Sequence, residues 1–585
     1  MKIKNIKYVA LAAVFGMGAT SCDDFLDRPT EDNYNQSNFY QNDTQCVQGV
    51  NFLYNSPWYD FQRGFFKVGE VMSGNYYWGK SPYLDFTVNG TDQDLVNMSY
   101  SLWSVIAYCN TVYKTLQTAN CSENIRRQCM AECLSWKAMA YFYLARTFGA
   151  VPIVHDNSKE LADGTYNDKK KVMLADVYEY IVMTLEKAME LFKDEDGNVM
   201  KGDAGRIDYY GAEGLLAKVY LTKSGVGQNG MRDEAALNKA KELAEDVIDN
   251  SGRKLMENYA DIFRLQNNNC EESLIGWRWD AASGQYTAQN TLQSDLAMVG
   301  FDEFGDNWGG YNGPSIDLQL AFGVTPDQNP KDRDKSVIDT RRKATTMMMA
   351  GDKYEYFWQD KGGFDYINFI YDKDGYGKGG PGELQSPTGA NEVKHLYGNA
   401  NDHMKGLGVS AASMSSSLST HLLRLADVYL IYVEAVIGNQ GSTTSEKARD
   451  VFWQVRHRAV SEYKLPASVS WEDVWKERRL ELACEGDRWY DFVRLSYYDS
   501  SRAINELVNQ KRDVYDNLNT LYKSYYESGQ TTWNATSDQH YTDNPKVPNV
   551  TKESFTLPFP SEDVVFNPNL MEDPVHVDVR TEYSY

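Results

Sequence analysis

The chain reads as a mostly α-helical protein, a scaffold of helical hairpins interrupted by one large irregular, loop-rich insertion and a few short strands. Three observations carry that reading. Apolar residues recur at helical spacing through most of residues 97–250 and again from 421 to 497. Between about 280 and 415 the chain is rich in Gly, Asn, Asp and aromatics, with no sustained helical period. Beyond residue 556, Pro558, Pro560, Pro568 and Pro574 make an extended strap, because proline cannot continue a helix.

The first residues stand apart from the fold. Lys2, Lys4 and Lys7 precede an apolar run from Tyr8 to Ala19. That run is too short to span a bilayer and fits a secretion signal. Small residues, Gly18-Ala19-Thr20-Ser21, then lead directly to Cys22. This resembles a bacterial lipobox, with residues 1–21 removed and Cys22 lipidated as the first mature residue.

The mature helices pair in order. Residues 97–119 and 122–148 form a hairpin with Ser122 as the expected N-cap. Trp136, Met139, Ala140, Tyr143 and Leu144 recur at helical spacing, and Gly149 and Pro152 end that helix. A second hairpin, 172–193 and 209–224, spans an acidic loop from Asp194 to Asp208, and 233–250 is a further amphipathic helix. Ala212, Gly214 and Ala217 alternate with Leu215, Leu216, Val219 and Tyr220, the small-against-large packing by which tetratricopeptide-like helix pairs stack. Leu274 to Trp279 reads as a short strand with Trp277 and Trp279 on one face. Helices resume at 421–438, 445–462, 471–484 and 487–497. The first is apolar apart from Arg424, Asp427 and Glu434, so it is buried with its charges paired.

Composition narrows the function. A formal charge of −23 excludes a nucleic-acid binder, which needs a basic face for phosphates. Seven cysteines besides Cys22, an odd number with no CxxC pair, read as buried free thiols with at most one disulfide among them. The seven histidines have no zinc-ligand spacing. Asp194-Glu195-Asp196-Gly197-Asn198 and Asp372-Lys373-Asp374-Gly375 place Gly fourth instead of sixth and lack the closing Glu of a calcium loop, so both read as solvated turns. No cofactor is expected.

Four segments, taken together, resemble one family. They are Tyr141-Phe142-Tyr143-Leu144-Ala145-Arg146-Thr147-Phe148-Gly149-Ala150-Val151-Pro152; Arg424-Leu425-Ala426-Asp427-Val428-Tyr429 running on to Ala435; Glu477-Arg478-Arg479-Leu480-Glu481-Leu482-Ala483-Cys484-Glu485-Gly486-Asp487-Arg488-Trp489-Tyr490-Asp491; and Leu557-Pro558-Phe559-Pro560 with Asn567-Pro568-Asn569-Leu570. In this order, after a lipobox, they resemble the SusD/RagB family of surface glycan-binding lipoproteins. The resemblance implies one SusD-like domain over 22–585. Its helical scaffold would lie at about 34–265 and 421–497, a ligand-binding loop region at about 268–420 and a strap at 556–585. It further implies outer-membrane attachment facing outward, with which Asp23 and Asp24 agree. The implied partners are an oligosaccharide or polysaccharide and a SusC-like TonB-dependent transporter, over which such proteins sit as a lid. A rival reading is a structural lid handling peptides, without a glycan site of its own.

An enzymatic role is not expected. Glycosidases hold two carboxylates across a cleft, whereas Glu477, Glu481, Glu485, Asp487 and Asp491 interleave with Arg478, Arg479, Arg488 and Arg494 as structural pairs would.

A sugar presents an apolar C–H face and a rim of hydroxyls, so its site pairs flat aromatics with Asn, Asp or Arg. Two glycine-bordered clusters fit: Asn75-Tyr76-Tyr77-Trp78-Gly79-Lys80-Ser81-Pro82-Tyr83 and Asp306-Asn307-Trp308-Gly309-Gly310-Tyr311-Asn312-Gly313. Both sit where the family resemblance implies the site. Trp78 and Trp308 are the expected platforms, with Tyr76, Tyr77 and Tyr311 secondary. Asn75, Asp306 and Asn312 are expected at the hydroxyl rim, and the resemblance adds Arg63.

Overall fold

The computed structural model describes residues 39–79, 81–324, 338–347, 352–372, 380–515, 518–529, 541–542 and 548–585. The signal segment, Cys22, Asp23, Asp24, Lys80 and the Lys373–Gly375 stretch lie outside the described residues.

The N-terminal elements are α1 (Asp43–Asn51) and α2 (Phe61–Phe66), the latter running on through a wider turn at Lys67–Val71. The scaffold follows as α3 (Gln93–Leu116), α4 (Glu123–Phe148), α5 (Leu174–Leu191), α6 (Tyr209–Lys223) and α7 (Glu234–Asn250). It resumes with α8 (Leu425–Ile437), α9 (Glu446–Ala459), α10 (Trp471–Glu481) and α11 (Arg488–Val508). From α3 to α9 each helix packs on the next, so the insertion leaves α7 against α8. Asp92, Asp208, Asp233 and Ser445 cap α3, α6, α7 and α9 with side-chain oxygens, satisfying amides that the helix itself leaves open.

α4 is the axis of the scaffold. Every residue from Cys129 to Phe148 is buried, so the helix is enclosed on all sides, with Glu132 paired to Arg206 and Arg146 to Asp487. The small-against-large expectation for α6 holds at Gly214, where a Cβ would stand 3.1 Å from Val428 of α8. Trp277 and Trp279 are both buried, and Trp277 packs on Trp58 and Phe65. The seven cysteines that fall within the described residues are free.

Four expectations need correction. Ser122 stands at the N-cap of α4 but caps nothing; its Oγ donates to Asp43 Oδ2 at 2.9 Å, tying the helix entry to α1. Residues 420–424 are not helix but a strand, β4 (Thr420–Arg424), antiparallel to β2 (Ser273–Trp277), with α8 starting directly after it. α11 continues to Val508 across a kink at Asp499, whose carboxylate accepts from Arg502 N and restarts the helix. The proline-rich strap contains short helical turns at Ser561–Phe566, Pro568–Met571 and Val579–Glu582, since proline is tolerated in a first turn.

The four sequence motifs converge. Arg146 Nη1 donates to Asp487 at 2.8 Å, and Lys218 bridges Asp487 (2.6 Å) and Asp427 (2.7 Å). Arg478 reaches Asp427 at 2.6 Å and Asp491 at 3.0 Å. Arg424 holds Glu272, Glu481 and Glu485 together. The strap closes on this core through Leu557 N to Thr147 O (2.8 Å) and Phe559 stacked on Phe148. Burial alone would raise the carboxyl groups of Asp427, Glu481 and Asp491, but the cations around them outweigh it and hold all three low, Asp427 at about 2. Such groups lock helices and stay ionised, which is the wrong state for an acid catalyst.

The insertion has a core of its own, in which Phe301, Phe357, Trp358, Phe364, Phe369 and Leu396 are buried together. The aromatic content of this irregular stretch is what lets it pack.

Candidate functional site

The two clusters singled out in the sequence lie far apart in the chain, and their strands form one ribbon. β1 (Tyr76–Trp78) pairs antiparallel with β3 (Asn312–Pro314), placing Trp78 opposite Asn312 and Tyr76 opposite Pro314. Alternation in a strand sends Tyr76 and Trp78 to one face and Tyr77 to the other.

Beside the ribbon, Trp308 is 42% exposed and Tyr311 57% exposed. Trp308 is nonetheless anchored: its indole Nε1 donates to Asp295 Oδ1 at 2.8 Å and its backbone N to Ser294 O at 3.0 Å. Gly309 makes the approach possible, because a Cβ there would fall 2.3 Å from Asp295 O. Arg63, half-exposed on α2, places Nη2 3.0 Å from the same Asp295 oxygen. Burial raises the Asp295 carboxyl, opposed by Arg63 and Trp308. Trp78 is half-buried, with Phe66 and Tyr76 behind its ring and Lys67 Nζ 4.9 Å over it, while Lys67 also pairs with Asp94.

The structure therefore joins Trp308 and Arg63 through Asp295, and leaves Tyr311 exposed and Trp78 half-exposed on the adjoining ribbon; the other expected residues are placed differently. Tyr76 is fully buried against Phe66 and cannot serve as a platform. Asn75 is also fully buried: its amide donates to Glu70 at 3.0 Å and its oxygen accepts from Arg479 Nε at 2.8 Å, so it braces the motif region instead of meeting hydroxyls. Asn312 is buried in the ribbon. Tyr77, on the opposite face, is half-buried beside Asp85. Asp306 is half-buried and spends Oδ2 on Ser413 Oγ and Met414 N, fixing a neighbouring turn.

Two residues escaped the sequence reading. Tyr286 is 66% exposed and rests on Tyr59 at 5.1 Å between centroids. Gln62 ties its loop to α2 through Gln289 O (3.3 Å) and Thr291 N (3.0 Å). Its glycine-bordered setting, Ser283-Gly284-Gln285-Tyr286, is the same signal that marked the other clusters. Asp295 carried no signal, sitting inside Leu292-Gln293-Ser294-Asp295-Leu296.

The Asp194 turn is closed by its own residues: Asn198 N donates to Asp194 Oδ1 at 2.8 Å. Among the described residues no cluster of three or more His, Cys, Asp or Glu has the arrangement to hold a metal ion.

The scaffold of helical hairpins defines a class of protein that comparison with known proteins identifies. Residues 285–576 match the model of the SusD family, and residues 21–221 match a model described as starch-binding, associating with the outer membrane. A SusD-like protein of Bacteroides ovatus is 32% identical over 98% of both chains. A structure solved with xylogluco-oligosaccharide is 29% identical, with a TM-score of 0.73 over 91% of this chain and 99% of that one. A SusD-like carbohydrate-binding protein from Bacteroides fragilis, 19% identical, shares the fold at a TM-score of 0.66 over 91% and 99% of the two chains. The chain belongs to the SusD family, and its helical hairpins are the tetratricopeptide-like scaffold of that fold.

Proposed function

We propose that the protein is a non-catalytic, cell-surface oligosaccharide-binding lipoprotein that passes captured glycan to a SusC-like TonB-dependent transporter. On this reading residues 1–21 are a removed signal, Cys22 carries the lipid on the outward face of the outer membrane, and 22–585 is one domain. The observation that carries the glycan reading is the anchored exposure of Trp308. An indole fixed by a 2.8 Å hydrogen bond, yet open on the surface, is a ready stacking platform with little entropy left to lose. Trp78 and Tyr311 supply further aromatic surface, and Arg63 supplies donors for ring hydroxyls. The relative solved with xylogluco-oligosaccharide makes that glycan the first probe. Absence of catalysis agrees with the motif carboxylates being paired and buried.

Calorimetric titration of the mature protein with xylogluco-oligosaccharide and a glycan panel tests the site. Trp308→Ala is expected to weaken binding at least tenfold and Trp78→Ala to weaken it less. Unchanged affinity in both variants would remove the assignment. Glycan-free protein that still co-purifies with the transporter would favour the structural-lid reading. For the anchor, Cys22→Ala should leave glycan affinity intact and abolish outer-membrane retention when the transporter is deleted.

A further inference from the structure

We propose a second carbohydrate-binding site in a groove of about 400 Å³ between α3 and the C-terminal strap, whose lining includes none of Trp308, Tyr311, Trp78 and Arg63. The ligand class rests on the reading above; the groove itself does not.

The groove is a built feature. Ser99 Oγ on α3 donates to Asp563 Oδ2 of the strap at 2.8 Å, fixing one side. On the other, Asn567 Nδ2 donates to Lys169 O at 2.9 Å and Asn569 Nδ2 to Asp168 O at 3.1 Å, fixing the strap to the 166–169 turn. Tyr100 and Phe566, 66% and 70% exposed, contribute rings to its lining, and Trp103 is half-buried beside them. Exposed rings of this size do no packing for the core.

The polar inventory favours a hydroxyl-bearing ligand. Asn567 Oδ1 is buried behind the lining with no hydrogen-bond partner, an acceptor unspent within the protein. The Trp103 indole N–H and the Asn167 side-chain amide make no hydrogen bond among the described residues, leaving donors beside the rings. Flat rings with unspent donors and acceptors around them match a pyranose, with its apolar face and hydroxyl rim. The volume lies within the range of small-ligand sites.

α3 connects the two sites. Asp94 at its start pairs with Lys67 and Arg63 beside the first site. Tyr100 is six residues further, about 9 Å along the axis and turned to another face. A polysaccharide can therefore engage both sites at once, while a short oligosaccharide occupies one. The second contact then raises apparent affinity for the polymer by effective concentration alone.

The test uses the mature protein, xyloglucan polymer and xylogluco-oligosaccharide. Tyr100→Ala/Phe566→Ala alters two exposed side chains, and an unchanged Tm checks the fold. Polymer affinity should fall about five- to tenfold, with oligosaccharide affinity nearly unchanged. In a Trp308→Ala background, residual weak oligosaccharide binding should disappear when the groove pair is added. Parent-strength polymer binding by the groove variant overturns the proposal and leaves the Trp308 reading standing. Retained glycan binding with lost transporter co-purification also overturns it, making the groove a protein-docking face. Failure of the parent to bind either probe overturns both.

Discussion

Trp308 and Arg63 meet at a single carboxylate oxygen, Asp295 Oδ1, at 2.8 Å and 3.0 Å. A buried acid thus orients both a stacking ring and a cation at the surface. Asp295→Ala should weaken glycan binding about three- to tenfold with little change in Tm, because the two partners it releases are both open to water. Titration of this variant beside Trp308→Ala separates positioning from contact: the positioning variant must be the milder of the two.

Tyr76 offers the opposite case. Its hydroxyl is buried without a partner, so it carries a desolvation cost with no return. Tyr76→Phe should raise stability by up to about 1 kcal/mol, or leave it unchanged, in a urea melt. Glycan affinity should not move. A loss of affinity would put Tyr76 back in the site.

Gly486 sits at φ +74° in the third motif, and a Cβ there would lie 2.3 Å from the Phe65 ring. Both strain and overlap oppose any side chain. Gly486→Ala should cost about 2–4 kcal/mol in denaturant unfolding. Binding by the fraction still folded should survive, since the residue touches no site side chain.

The buried acids predict an acid-unfolding window. Asp427 is held at about 2, against about 4 in an unfolded chain. A depressed folded value means the stabilisation is present above pH ~4 and is lost as pH falls toward 2. Glu481 and Asp491 shift the same way. The urea midpoint should therefore drop steeply between pH 4 and 2. A flat midpoint across that range would show that these pairs contribute no net stability.

Helix identity was legible wherever helical spacing persisted, as in α4, or an apolar run continued nearly all round, as in α8, and the charge pattern of 477–491 correctly read as pairing. Thr420–Arg424 was not legible, because a short apolar run joined to a buried helix has no period of its own; only its partner, Ser273–Trp277, makes it a strand. Among the site residues, residue type and flanking glycines marked Trp308 and Tyr311. The same signal also marked the buried Tyr76, and it stands at Tyr286 too, where a single ring without a second aromatic beside it drew no notice.

By itself, then, the sequence determined the helical-hairpin class, the family through four motifs in order, and the two aromatic clusters as places of interest. The tertiary structure decided which members of those clusters face water. Phe66 covers Tyr76, Glu70 and Arg479 hold Asn75 inside, and Asn312 is buried in the β1–β3 ribbon, while Asp295, a residue with no sequence mark, fixes Trp308 outward. Exposure is a property of what packs on a residue from distant parts of the chain. No local pattern around Asn75 or Trp308 could contain it.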